Sequence, residues 1–297
     1  MARGDFLYER ATMRWPAFVL DTCAALGGDP LLATPAAAAL QFVVSAMDVA
    51  DDLIDREWNE QLAPIEQAVN AIPALAWLAQ RATNDLAATL GAERALLAGE
   101  LIAHALLIAC SGQHSDLVLE ANTDVSEETA LDMTRRKSSI GIGMACQLGA
   151  AVVTDNPEIL GLVGEFGEHI GMVGQLLNDM AGASRDAVGR GSDLARRKKT
   201  LPVAFALRVA REEGIQSLLD WYGGAGERMD ERRVADLIHS VGGIHFAWVV
   251  ARAHRQEALA TLRVIRDRTG RAEVLRLRRL VPRVQVVSHA GGGNGGR

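Results

Sequence analysis

Ala36-Ala37-Ala38-Ala39-Leu40-Gln41-Phe42-Val43-Val44-Ser45-Ala46-Met47-Asp48-Val49-Ala50-Asp51-Asp52-Leu53-Ile54-Asp55 is a helix-forming apolar run closed by three carboxylates. Its residues predict a helix from about Ala36 to Asp55 that is apolar almost all round, hence interior to a helical bundle with its acidic end at a cavity mouth. Residues four apart share a helix face, so Asp51 and Asp55 project side by side with Asp52 flanking them. Carboxylates that close repel one another unless a cation sits between them. A solvated helix end is the simpler account, but acids at a C-terminal end oppose the helix macrodipole. Oxygen-only ligands without nearby Cys or His favour a hard ion, Mg²⁺, which typically bridges carboxylates to substrate phosphates.

Working outward, the chain has 297 residues, 49% of them hydrophobic and only 4% aromatic. Apolar residues recur at three and four far more often than they alternate, which predicts an all-α protein. Breaks at Gly27-Gly28-Asp29-Pro30, Leu62-Ala63-Pro64, Gly91, Asn122-Thr123-Asp124, Thr154-Asp155-Asn156-Pro157, Gly189-Arg190-Gly191, Gly223-Gly224 and Gly242-Gly243 are all short. One helical domain over residues 1–283 follows, with 284–297, which ends in a Gly-rich run, as a flexible tail. Cys23, Cys110 and Cys146 are scattered without metal spacing and read as reduced core residues of a cytoplasmic protein. Charges at Arg3, Asp5, Glu9 and Arg10 exclude a secretion signal, and interrupted apolar runs argue against a membrane span. A net charge of −6 argues against nucleic acid as a partner. The segment from Thr261 to Arg297 nevertheless holds nine Arg against Asp267 and Glu273, and reads as a solvated face or, less favoured, a weak membrane-surface contact.

A second helical stretch, Glu165 to Asp186, offers Gln175, Asn178, Asp179, Gly182 and Asp186. Asn178, Gly182 and Asp186 at i, i+4 and i+8 would share one face, with room at Gly182 for water. Asn and Asp before a Gly-rich loop could instead simply end a helix. Two basic runs complete the set, Arg135-Arg136-Lys137 and Arg196-Arg197-Lys198-Lys199. Either run alone reads as solvated surface. Together with the acids, in one apolar helical chain, they point to a diphosphate held by Mg²⁺ and Lys/Arg with a hydrocarbon tail in the bundle.

These residues resemble the trans-isoprenyl diphosphate (polyprenyl) synthase family over about Ala11 to Pro282. The landmarks are Asp51 to Asp55, Gly112-Gln113 to Asp116-Leu117, Lys137-Ser138, Gln175-x-x-Asn178-Asp179, Ser192-Asp193-Leu194 and Lys198-Lys199-Thr200-Leu201-Pro202. The resemblance implies a bundle of mostly antiparallel helices around a central cavity, three Mg²⁺ ions and ionisation of an allylic diphosphate. It implies Asp51, Asp52, Asp55, Asn178, Asp179 and Asp186 as metal ligands, with Asp51, Asp55 and Asn178 central to catalysis. Arg135, Lys137, Gln175 and Lys198 would hold the diphosphate, and a homodimer is the implied assembly.

Three family features that hold a second substrate, isopentenyl diphosphate, are altered. The GKRxRP stretch reads Ala11-Thr12-Met13-Arg14-Trp15-Pro16, the His position is Val44, and no Arg pair follows Asp55. Asn178-Asp179-x-x-Gly182-x-x-x-Asp186 is similar to the metal motif of class I terpene synthases. The sequence therefore leads to the expectation of a class I terpene synthase acting on a C15 or C20 allylic diphosphate. The alternatives are a prenyltransferase, either a polyprenyl diphosphate synthase or one acting on an indole or peptide, and a non-catalytic prenyl-diphosphate-binding partner subunit.

Overall fold

The computed structural model describes residues 15–120, 124–187, 193–224 and 230–284. They form eleven α-helices, and none of the described residues is in a strand. The helices are α1 Trp15–Ala25, α2 Thr34–Ile54, α3 Ile65–Leu90, α4 Ala92–Glu120, α5 Glu127–Thr134, α6 Ile140–Ala151, α7 Pro157–Gly182, α8 Leu201–Glu213, α9 Gln216–Gly223, α10 Glu231–Ser240 and α11 Gly243–Thr269. A π-helical turn, Arg135–Ser139, joins α5 to α6, and 3₁₀ segments cover Arg185–Ala187 and Ala272–Leu280.

Local chemistry starts and stops these helices. Pro35 sits in the first turn of α2, where a missing N–H costs nothing. Asn156 caps α7 by accepting hydrogen bonds from the Glu158 and Ile159 N–H groups. Gly214, Gly224 and Gly270 end α8, α9 and α11 in the left-handed region, which a residue without Cβ enters freely.

The main core lies where α7 packs against α6 and α11, α2 against α3, and α1 against α6. Leu40, Leu148, Phe166 and Ile170 are fully buried there, each contributing about 1.5–3 kcal/mol by leaving water. Backbones approach closely at glycines: a Cβ on Gly167 would lie 2.5 Å from the Ile142 carbonyl oxygen, and one on Gly149 would lie 2.2 Å from that of Val19.

Several expectations change. The second acidic helix ends at Gly182 rather than Asp186, because Ser184 turns back to hydrogen-bond the Ala181 carbonyl through both its N–H and its hydroxyl. Asp186 thus leaves the face shared by Asn178 and Gly182 and sits in the following 3₁₀ turn. Cys23 and Cys146 are buried, but Cys110 is exposed, because it belongs to the lining of a cavity instead of the core. Helix α4 is long and apolar enough by length and composition to cross a membrane, and most of its apolar stretch is not buried within the chain. The tail beyond residue 284 lies outside the described residues.

Candidate active site

A cavity of about 3410 Å³ opens between the helices, and its wall includes Asp51, Asp52, Asp55, Lys137, Gln175, Asn178, Asp179, Asp186 and Lys198. The two acidic stretches and two members of the basic runs, far apart in sequence, therefore meet around one space. Val43, Val44, Met47, Ile102, Ala105 and Leu106 line its apolar part.

Asp55 closes α2 and is clamped by Arg196, which hydrogen-bonds one carboxylate oxygen, and by Lys198 Nζ at 2.8 Å from the other. The clamp depends on the residue between the two cations. Arg197 has φ of 56°, a left-handed conformation uncommon for a residue with a Cβ, and its guanidinium lies 5.3 Å from the Trp221 ring centroid. This turn lets Arg196 and Lys198, on either side of it, both reach Asp55. Burial alone would raise the Asp55 pKa, but hydrogen bonds and charge from Arg196 and Lys198 outweigh it and hold the carboxyl well below the usual carboxylate range.

Lys137 is delivered by the π turn. A Cβ on Gly112 would lie 2.4 Å from the Lys137 backbone nitrogen, so the absence of one allows α4 to press against this turn. One helical turn further on, Asp116 accepts a hydrogen bond from Lys137 Nζ at 2.7 Å. The same ammonium lies 3.4 Å from Asp51 Oδ1 without hydrogen-bond geometry, which leaves that buried oxygen with no donor. Burial would lower the Lys137 pKa, yet Asp116 and Asp51 reverse this and raise it, so the ammonium is charged. Gln113 Nε2, in the same wall, is also buried without a partner.

On α7, Gln175 Nε2 donates to Asp179 Oδ1 at 2.8 Å, which occupies an amide the sequence offered to substrate. Asp179 is buried, and its pKa is pushed up to about 7 by that burial, against the Gln175 bond and with help from the charges of Asp193 and Asp116. The room expected for water at Gly182 is taken instead by Asp193, whose Oδ2 lies 2.0 Å from where a Cβ on Gly182 would be. A carboxylate from the following loop thus stands beside the position where the second motif lacks one. Asp193 also lies 3.8 Å from Lys198.

Arg135 does not line the cavity. It pairs with Asp132 at 3.8 Å and Glu168 at 3.6 Å, because the π turn that points Lys137 inward leaves it half-exposed. Asp116, Asp193 and Arg196 were not singled out from sequence as site residues. Asp116 and Asp193 fell inside quoted landmarks, and Arg196 inside a basic run, but nothing local distinguished them from solvated neighbours.

Among the described residues, no three His, Cys, Asp or Glu side chains converge into a self-contained metal site. The donor set still fits Mg²⁺, which commonly takes only one or two carboxylates and completes its octahedron with water and substrate phosphate oxygens. The undonated Asp51 Oδ1 and the exposed Asp52 present such oxygens at the cavity wall.

Comparison with known proteins agrees with this geometry. The chain is 31% identical over 259 residues to a geranylgeranyl diphosphate synthase of Mycobacterium tuberculosis, covering 83% of this chain and 73% of that protein. It is 27% identical over 271 residues to a short chain isoprenyl diphosphate synthase of Methanothermobacter thermautotrophicus, covering 86% and 81%. The crystal structure of a geranylgeranyl pyrophosphate synthetase from Pyrococcus horikoshii superposes with a TM-score of 0.78 at 26% identity, covering 91% and 85%. The family model described as polyprenyl synthetase matches residues 12–241, most of the chain and both halves of the cavity wall, and this protein therefore belongs to the polyprenyl synthetase, or trans-isoprenyl diphosphate synthase, family.

Proposed function

We propose that this chain is a Mg²⁺-dependent prenyl diphosphate synthase, which lengthens an allylic diphosphate by condensing it with isopentenyl diphosphate. The observation that carries this is the meeting of Asp51, Asp55, Lys137 and Lys198 around one cavity in a chain whose relatives are named as diphosphate synthases. The terpene synthase expected from the sequence is withdrawn. Similar proteins across most of the chain are chain-elongating synthases by name, and the altered acceptor positions do not outweigh them.

Lys198 and Lys137 supply positive charge where an allylic diphosphate would lie, and Asp51, Asp52, Asp55, Asn178, Asp179 and Asp186 supply oxygen ligands from two sides. Those carboxylates would hold Mg²⁺, which would supply positive charge to stabilise the departing diphosphate. In the reaction the allylic C–O bond breaks with its electron pair on the diphosphate oxygen. The double bond of the acceptor then forms the new C–C bond, and loss of a proton from the adjacent carbon restores an alkene. The apolar wall of Val43, Val44, Met47 and Ile102 houses the hydrocarbon and keeps water from the cation. Lys198 exchanges Asp55 for the diphosphate on binding, so the Asp55 pair keeps this cation oriented before substrate arrives.

Incubation with Mg²⁺ and geranyl, farnesyl or geranylgeranyl diphosphate, with and without isopentenyl diphosphate, followed by mass analysis, tests this. Longer diphosphates formed only when isopentenyl diphosphate is present are expected. A hydrocarbon or alcohol from the allylic substrate alone would overturn the proposal.

A further inference from the structure

Lys198 leaves a turn whose backbone does not suit its residues. The Arg197 N–H donates to the Leu194 carbonyl at 3.1 Å, and the Lys198 N–H donates to the Asp193 carbonyl at 3.0 Å. With a left-handed residue at the first of these donors, the two bonds make the turn in which helices commonly end, and that residue is usually glycine. Here it is Arg197, with φ of 56°. A residue with a Cβ resists this conformation, so the turn needs support from outside itself.

Two anchors supply it, both from the small core that α8, α9 and α10 share. Leu194 is fully buried in that core, in one cluster with Leu218, Tyr222 and Val234. At the other end of the turn, the Arg197 guanidinium stands 5.3 Å from the centroid of the Trp221 ring on α9. A Cβ on Gly224, which ends α9, would lie 3.1 Å from Arg197 Nη1, so the guanidinium also fits against the C-terminus of that helix, where the macrodipole favours a cation. Neither Arg197 nor Trp221 lines the cavity, whereas Lys198, the next residue, does and lies 2.8 Å from Asp55.

Resting on the activity proposed above, we infer that Trp221 and Arg197 are positioning residues: the Trp221 ring locks Arg197 in its left-handed turn, and the turn aims Lys198 at the diphosphate of the allylic substrate. The lock compensates for the Cβ of Arg197. Glycine enters the left-handed region freely, so Arg197→Gly removes the need for the ring. If Trp221 served only to pack α9, no change at position 197 would replace it.

Calorimetric titration of farnesyl diphosphate into the full chain in Mg²⁺, with steady-state kinetics alongside, tests the lock. Trp221→Leu should weaken binding about fivefold, the effect of losing a cation–π contact of ordinary strength. The KM for the allylic diphosphate should rise equally with kcat within about twofold, as when a contact made in ground and transition state alike is lost. Trp221→Phe, which keeps a ring face, should stay within about twofold of wild type. Arg197→Gln, which keeps the Cβ and loses the charge, should match Trp221→Leu. Arg197→Gly should bind within about twofold of wild type, and adding it to Trp221→Leu should restore the lost affinity. Wild-type affinity in Trp221→Leu, or a loss that Arg197→Gly leaves uncorrected, would overturn the lock. Wild-type affinity in Arg197→Gln would also overturn it, and this variant decides the matter if Trp221→Leu does not fold. If the chain elongates while Trp221→Leu and Arg197→Gln keep the wild-type KM, the lock falls and the activity stands. If binding follows the expected pattern yet isopentenyl diphosphate yields no longer diphosphate, the activity falls and the lock stands. No binding of farnesyl diphosphate by wild type would overturn both.

Discussion

Asp55 is held by two cations that lie 141 and 143 residues later in the chain. Replacing it by Asn removes the carboxylate that Arg196 and Lys198 share and leaves them only the longer pairs with Glu57 at 3.5 Å, Glu120 at 3.8 Å and Asp193 at 3.8 Å, at a cost of about 3 kcal/mol. Asp55→Asn should therefore lower the unfolding midpoint and reduce turnover by at least a hundredfold while preserving the helical circular dichroism signal. Unchanged turnover would remove Asp55 from the site. Asp179 titrates in the opposite sense. Its pKa rises from an ordinary 3.8 to about 7 on folding, so the neutral acid stabilises the fold fully below the first value, and that contribution is lost as pH climbs through the second. In EDTA, the wild-type unfolding midpoint should fall between these values, and Asp179→Asn should flatten the curve. An equal slope in the variant would assign the titration elsewhere. Both carboxylates were visible in the sequence as acids of paired motifs. Their opposite electrostatic fates were not, since Arg196 clamps one and the buried Asp179 finds only Gln175.

The helices themselves were largely legible, because Gly, Pro and Asn breaks and 3.6-residue periodicity are local properties. The places where they failed are informative. The π turn at Arg135–Ser139 separates Lys137, which faces the cavity, from Arg135, which does not, although both stand in one basic run. Helix α4 holds that turn in place through Gly112. Gly112→Ala should drive a methyl into the Lys137 backbone and destabilise the fold by about 1–3 kcal/mol, read as a lower thermal midpoint. It should also raise the KM for the allylic diphosphate, since Asp116 and Lys137 lose their register. A variant with wild-type midpoint and KM would show that α4 does not set the lysine.

The chain leaves large apolar side chains outside its own core along α3 and α4, including Trp77 and Leu107, each 73% exposed, and Leu96. Surfaces of this kind mark association sites. A second copy of this chain is the partner we expect there, so light scattering should give twice the chain mass, and Leu107→Glu with Leu96→Glu should return it to one. A monomeric wild type would remove this expectation. The same two helices line the apolar part of the cavity through Ala79, Thr83, Ile102 and Leu106, so the variant should also alter product length.

The sequence by itself determined an all-α chain, the two acidic motifs and the family, because helix periodicity, short breaks and motif spacing are written in neighbouring residues. It led to a terpene synthase, because altered positions such as Val44 outweighed the whole-chain likeness, and relatives named as diphosphate synthases overturn that reading. Only the tertiary structure set Arg197 against Trp221, moved Asp193 into the space beside Gly182 and turned Arg135 away from the cavity. Charge acts through space, and which cations face a cavity is settled by how helices pack, over separations that no local pattern records.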